Sequence, residues 1–192
     1  MTHISRFIAP VLLLAVLLPL GGCVSMVVGA GATVGIAAME ERPFGVHTED
    51  TTLASKIRYN LVEAGGEYMT SIGVEVYESR ALLTGTVKDE AMRAEAVKLA
   101  WKVDRVKDVF NEIQISESGI ANYAKDSWVT TQLKSKITFD QDVLAINYFI
   151  ETVNGIVYLI GIAQNQKELD RVIAHARELG YVKRVISHVR VK

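Results

Sequence analysis

The chain has 192 residues, a formal charge of −1 and a single cysteine. That length suits one or two small domains, and the near-neutral charge gives no global drive toward nucleic acid. One cysteine excludes an intrachain disulfide and a cysteine-based metal site, and His3, His47, His175 and His188 are too scattered to suggest a metal cluster.

The amino terminus reads as an address. Thr2 to Arg6 is a short stretch with one arginine, and Phe7 to Leu20 is an apolar run interrupted by Pro10 and Pro19. Its length fits a secretory signal and is short for a membrane span. Leu20-Gly21-Gly22-Cys23 follows directly and resembles a bacterial lipobox. That resemblance implies cleavage before Cys23, with a diacylglycerol on its thiol and an acyl chain on its new amino group, giving a signal peptide over 1–22. Several acyl chains hold a protein stably on a bilayer where one does not. Val24 and Ser25 follow the cysteine instead of the Asp common in lipoproteins retained in the inner membrane, so the resemblance implies the periplasmic face of the outer membrane. Residues 23–49 read as the lipidated end and a tether. Gly31-x-x-x-Gly35 also has helix-packing spacing, and Glu40 to Glu49, with Pro43 and Gly45, reads as linker.

The rest is a duplication. Gly85 and Gly161 close matching apolar runs, Ala81-Leu82-Leu83-Thr84 and Val157-Tyr158-Leu159-Ile160, 76 positions apart. The same offset places Asp50 on Asp126, Glu75 on Glu151 and Val109 on Val185. The expected domains are 50–116 and 125–192, joined by a linker over 117–124. In the first, Asp50 has N-cap chemistry ahead of the stripe Leu53, Ile57, Leu61. Ala64-Gly65-Gly66 ends that helix. Ile72, Val74, Val76 and Ala81, Leu83 alternate about a turn at Glu78-Ser79, a hairpin pattern. Asp89 caps a second helix, and Val109, Ile113 and Ile115 suit a third strand. In the second, Asp126 caps a helix carrying Val129, Leu133 and Ile137, strands follow around Ile150 and Leu159, Asn165 and Glu168 are spaced as a capping box, and Val185, Val189 and Val191 close the sheet. The fold class is α+β: two tandem αββαβ domains, each a three-stranded mixed sheet covered on one face by two helices.

The element order, the repeat length and the glycine closing the central strand resemble the BON domain of bacterial envelope proteins. Lys107-Asp108-Val109-Phe110-Asn111-Glu112-Ile113 and Val182-Lys183-Arg184-Val185 resemble the segment leading those domains into their last strand. Asp126 to Leu133 is similar to the opening of the second domain in dual BON-domain outer-membrane lipoproteins. The resemblance implies a non-enzymatic envelope-integrity protein that binds phospholipid surfaces.

Divergence between the copies points to where function lies. Residues 50–115 hold nine basic and eleven acidic residues, whereas 126–192 hold nine and seven, so the second copy is the better partner for anionic phospholipid. Trp128 replaces Thr52 and lies about 140° from the Val129-Leu133-Ile137 stripe at about 100° per residue. An indole there is a membrane-surface anchor or an inter-domain contact, and Lys125, Lys134 and Lys136 lie close in sequence. Trp101, whose counterpart is Arg177, is also off its helix stripe and is expected to pack against the other domain. The outward sheet positions of the first copy, Glu75, Tyr77, Leu82, Thr84, Phe110 and Glu112, are mixed and suit solvent. Those of the second, Phe149, Tyr158, Ile160, Ile162 and Ile186, form an apolar face that should be covered, most simply by a helix of the first domain in an asymmetric pair. His175 and His188 read as surface histidines. No Ser/His/Asp grouping, metal spacing or carboxylate pair points to catalysis, so neither enzyme activity nor any cofactor beyond the acyl groups on Cys23 is expected. The alternative reading is a periplasmic scaffold with partners in outer-membrane assembly or cell-wall remodelling.

Overall fold

The computed structural model describes residues 43–192; the signal, Cys23 and most of the tether lie outside them. The elements are α1 (Phe44–Ala64), α2 (Gly66–Ser71), β1 (Ile72–Tyr77), β2 (Arg80–Val87), α3 (Glu90–Trp101), β3 (Asp108–Asn111) and β4 (Gln114–Ile115). Then come α4 (Tyr123–Phe139), a 3-10 turn (Ala145–Asn147), β5 (Tyr148–Val153), β6 (Ile156–Ala163), α5 (Gln166–Arg177) and β7 (Arg184–Val191). Each hairpin is antiparallel and the last strand joins the central one in parallel. The third strand of domain 1 is split in two where that of domain 2 runs unbroken.

Both cores follow the stripes in the sequence. Leu53, Ile57 and Leu61 bury against Val74, Ala81 and Leu83 in domain 1, and Val129, Leu133 and Ile137 against Ile150, Val157 and Leu159 in domain 2. Asp89 and Asn165 cap α3 and α5 by accepting from the N–H groups of Met92 and Glu168. Gly85 and Gly161 are required at the same point in each copy. Their φ values are 111° and 153°, and an added Cβ would lie 2.0 Å from the Ser71 carbonyl oxygen and 1.9 Å from that of Asn147, far inside van der Waals contact.

Asp50 and Asp126 are not N-caps. Helix α1 starts at Phe44, inside the expected linker, and α4 starts at Tyr123. Both aspartates are buried within their helices and reach across to the hairpin turn. Asp50 accepts from the N–H groups of Glu78 and Ser79 at 2.8 and 2.7 Å, and Asp126 from those of Asn154 and Gly155, both at 2.8 Å. The turn residues have φ between 52° and 78°, a conformation that turns their N–H groups together, as in a type I′ turn. One carboxylate thus ties the first helix of each domain to its hairpin. The short helix α2, after Gly65, has no counterpart in the sequence expectation.

The outer faces of the two sheets pack on each other. Tyr77 and Leu82 of domain 1 are buried with Val153, Tyr158, Ile160 and Ile162 of domain 2, with Phe110, Phe149 and Ile186 around them. The cover for the second sheet is therefore the first sheet and not a helix, and the centre of the mixed outer face of domain 1, at Tyr77 and Leu82, is shut off from solvent while Glu75 at its rim stays partly exposed. The pair is also not asymmetric. Glu112 and His188, themselves 76 apart, hydrogen-bond to each other at 2.9 Å. The bidentate Arg190–Glu78 contact is mirrored by the Gln114–Asn154 amide contact at the equivalent positions. The duplicated domains thus meet about a pseudo-two-fold axis, as in an isologous dimer. His188 stacks on Phe110 with centroids 4.1 Å apart, so it is an interface residue and not a surface histidine. Arg80 donates to the carbonyls of His188 and Gly161 across the same seam. The result is four layers, helices–sheet–sheet–helices, and residues 43–192 bury all three apolar clusters among themselves.

Candidate membrane-contact surface

The four-layer order leaves the helix layers facing opposite ways, α1 and α3 on one side and α4 and α5 on the other. On α4, burying Val129, Leu133 and Ile137 turns Trp128 outward, and its side chain is 52% exposed. Phe139, eleven residues on, is 83% exposed. Eleven residues turn through about three full revolutions plus 20°, so Trp128, Gln132, Ser135 and Phe139 form one outward stripe. Its two aromatic ends stand about 16 Å apart along the axis. Phe139 was missed in the sequence, although the spacing carried it.

The three expected lysines do not gather around Trp128. Lys125 turns its ammonium over the Tyr181 ring, 5.5 Å from the centroid. Lys136 pairs with Glu178 at 2.7 Å, and this hydrogen bond holds the Glu178 carboxyl below its ordinary range. Lys134 points to the other flank of α4, lining a cleft with Ile137, Thr138, Ala145, Ile146 and Tyr148. The indole and the cations therefore surround the helix instead of forming one basic patch.

Behind the end of α4 stands a polar brace. Arg171 donates to both oxygens of Asp140, at 2.9 and 3.0 Å, and His175 Nε2 donates to the same carboxylate at 2.7 Å. These two partners, Arg171 foremost, hold the Asp140 carboxyl well below the usual carboxylate range. Ser135 lines the cleft beside them, so the fold gathers a serine, a histidine and an aspartate that the sequence keeps apart. The arrangement is that of a strut. An orienting aspartate works by supporting imidazolium formation, and here its charge is already taken up by a guanidinium. The other nitrogen of His175 is buried, 3.8 Å from Glu178. His175 is partly buried, not a free surface histidine. Among the described residues no group of His, Cys, Asp and Glu could hold a metal ion, and no helix is long and apolar enough to cross a membrane.

Of the expected inter-domain residues, Phe149, Tyr158, Ile160 and Ile186 lie in the seam between the sheets. Trp101 does not. It sits at the end of α3, 49% exposed, on the helix layer facing away from domain 2. Beside it runs a shallow cleft of about 410 Å³ between α1 and the turn after α3, lined by Thr52, Ser55, Lys56, Tyr59, Asn60 and Lys102.

The sequence pattern of the BON domain matches residues 49–117 and again 125–192. The chain is 35% identical over 188 residues to the outer membrane lipoprotein DolP of Haemophilus influenzae, covering 94% of this chain and 96% of that one. It is 40% identical over 146 residues to a protein of Anaplasma centrale named for the gshII 5′ region, covering 75% and 95% of the two chains. It is 28% identical over 151 residues to the osmotically-inducible protein Y of Escherichia coli, covering 77% and 75%.

Proposed function

This chain belongs to the BON domain family, and on that footing we propose that it is a non-enzymatic outer-membrane lipoprotein, anchored through Cys23, whose second domain binds anionic phospholipid and supports outer-membrane integrity. The likeness to a protein named as an outer membrane lipoprotein, over nearly the whole of both chains, supports the location. The lipobox-like Leu20 to Cys23 supports the anchor.

The observation that carries the lipid reading is the outward stripe on α4. Trp128 and Phe139 are exposed on one helix face with only Gln132 and Ser135 between them. Large aromatics at both ends of a polar stripe suit a helix lying along a headgroup layer, where rings bury and amides and hydroxyls stay wet. Lys125 at the start of α4 and the excess of basic residues in this domain add attraction to an anionic surface. The mechanism is two-point attachment: with the acyl anchor in place, the protein contact becomes effectively intramolecular, so a weak contact suffices.

Vesicle flotation of residues 43–192, which lack the anchor, tests this. The expected result is binding that favours anionic over neutral vesicles and falls on Trp128→Ala. Equal binding to both vesicle types, or no loss in the variant, contradicts it.

A second reading draws on the other helix layer. When α4 lies on a bilayer, α1, α3, Trp101 and the Tyr59 cleft face the periplasm, which suits docking of an outer-membrane assembly protein. Crosslinking from a photoreactive residue at position 101 in cells tests it; capture of no protein there speaks against it.

A further inference from the structure

We infer that the loop between α4 and β5 is a second lipid contact, an apolar wedge that enters the acyl layer beside the α4 stripe. This rests on the reading of domain 2 as the lipid-binding domain.

The loop exposes aliphatic side chains from a fixed backbone. Leu144 is 41% and Ile146 38% exposed, while Val143 between Asp142 and Leu144 is buried in the core. Two carboxylates hold the backbone. Asp140, itself held by Arg171 and His175, accepts from the Asp142 N–H at 3.0 Å. Glu168, buried at the start of α5, accepts from the N–H groups of Leu144 and Gln164 at 3.0 and 2.8 Å. The Asn147 N–H closes the 3-10 turn onto the Leu144 carbonyl at 2.9 Å. A backbone ordered before contact loses little freedom on insertion, so exposed aliphatics on it can be used for binding at small entropic cost.

The duplication supplies the control. At the offset of 76, Phe139, Leu144 and Ile146 answer to Glu63, Tyr68 and Thr70. Domain 1 thus has a carboxylate, a phenol and a hydroxyl where domain 2 has three apolar groups. Glu168 answers to Met92, so the buried clamp on the loop is also particular to domain 2.

The cleft behind Ile146 fits the same occupant. It measures about 330 Å³, and its walls are Ile137, Ala145, Ile146, Thr138 and Tyr148, with Lys134 as the only charged residue among them. An apolar wall with one cation suits an amphiphile: the lysine stem lies along the hydrocarbon and the ammonium reaches phosphate level. On the opposite flank Lys136 and Arg171 are already paired with Glu178 and Asp140. The tip therefore binds chiefly through its apolar groups, and should favour membranes whose acyl layer is accessible, such as small, strongly curved vesicles.

Residues 43–192 contain no cysteine and bury their cores among themselves, so one nitroxide can be placed at Ile146→Cys and, separately, at Ser135→Cys on the α4 stripe. Both sites are exposed, which leaves folding intact. With small vesicles of phosphatidylethanolamine and phosphatidylglycerol, relaxation by oxygen and by a water-soluble nickel chelate reports depth. The expected result is an acyl-layer signature at 146 and a headgroup-level signature at 135. An aqueous signature at 146 with a headgroup-level one at 135 overturns the wedge alone. Aqueous signatures at both overturn the wedge together with the domain 2 reading. As a second measurement, Leu144→Ser combined with Ile146→Ser should weaken vesicle binding about tenfold and remove the preference for small over large vesicles. Unchanged binding and preference overturn the wedge.

Discussion

Domains 1 and 2 are alike inside and different outside, and the differences fall on particular faces. The helix-covered face of each sheet repeats position by position, down to the glycine under a carbonyl and the aspartate that clamps the hairpin turn. The other sheet face has diverged in chemistry but kept its geometry, because each copy serves as the other's cover: Glu112 meets His188, and Glu78 with Arg190 is answered by Asn154 with Gln114. The outward helix face is free of both constraints. There domain 2 carries Trp128 and Phe139, and domain 1 carries Thr52 and Glu63 at the same places. What recurs reports packing, what diverges in matched pairs reports domain pairing, and what diverges without a partner is where function is expected.

The largest effects are expected at the shared glycines. Gly85→Ala and Gly161→Ala each drive a Cβ into a backbone carbonyl and should each cost more than about 4 kcal/mol, read by urea denaturation. If one copy tolerates alanine, the two backbones are not equivalent. Next come the turn clamps. Asp50→Ala and Asp126→Ala each leave two N–H groups without their acceptor, and each should cost about 3 kcal/mol. A large difference between the two would mean that they do not do the same job. The seam is tested by Ile160→Ala, which empties a fully buried site between the sheets and should cost about 2 kcal/mol or more. NMR relaxation of the unaltered protein should show both domains tumbling as one body; independent tumbling contradicts the paired sheets.

Surface changes should cost less. Trp128→Ala should weaken vesicle binding about tenfold, about 1.4 kcal/mol, and Trp101→Ala should leave it within twofold; the reverse order would move the lipid contact to domain 1. The smallest effect concerns pH. Asp140 has a folded-state pKa depressed below its unfolded value by Arg171 and His175. Its contribution to stability is therefore fully present above the unfolded value, near 3.9, begins to fall there, and is lost progressively as pH drops on through the lower folded value. Asp140→Asn should remove that part of the acid sensitivity, seen as a smaller drop in urea midpoint between pH 6 and pH 3. An unchanged drop would mean that the brace does not hold the loop.

The duplication, the strands, both cores and the caps at Asp89 and Asn165 were legible because each rests on local periodicity or on a side chain bonding within its own turn. The seam was not. Alternation along a strand says which side a residue faces but not what covers it, and Glu75, Thr84 and Glu112 made the outer face of domain 1 look wet when Thr84 is buried and Glu112 is answered by His188 of domain 2. Asp50 and Asp126 misled for the same reason: their partners lie 28 and 29 residues away, beyond any capping rule. Trp101 followed the logic that put Trp128 off its stripe, yet nothing local tells an aromatic bound for a seam from one left outside. Phe139 was readable from its spacing to Trp128. Leu144 and Ile146 were not, since their exposure depends on Val143 taking the place in the core.

The lipid contact of domain 2 is tested most directly by titrating ¹⁵N-labelled residues 43–192 with bilayer discs of anionic phospholipid, followed amide by amide. Signals from Trp128 to Phe139 and from Leu144 to Ile146 should shift or broaden, while those of α1 and Trp101 stay in place. Changes centred on Trp101 and α1, or none in domain 2, would contradict it.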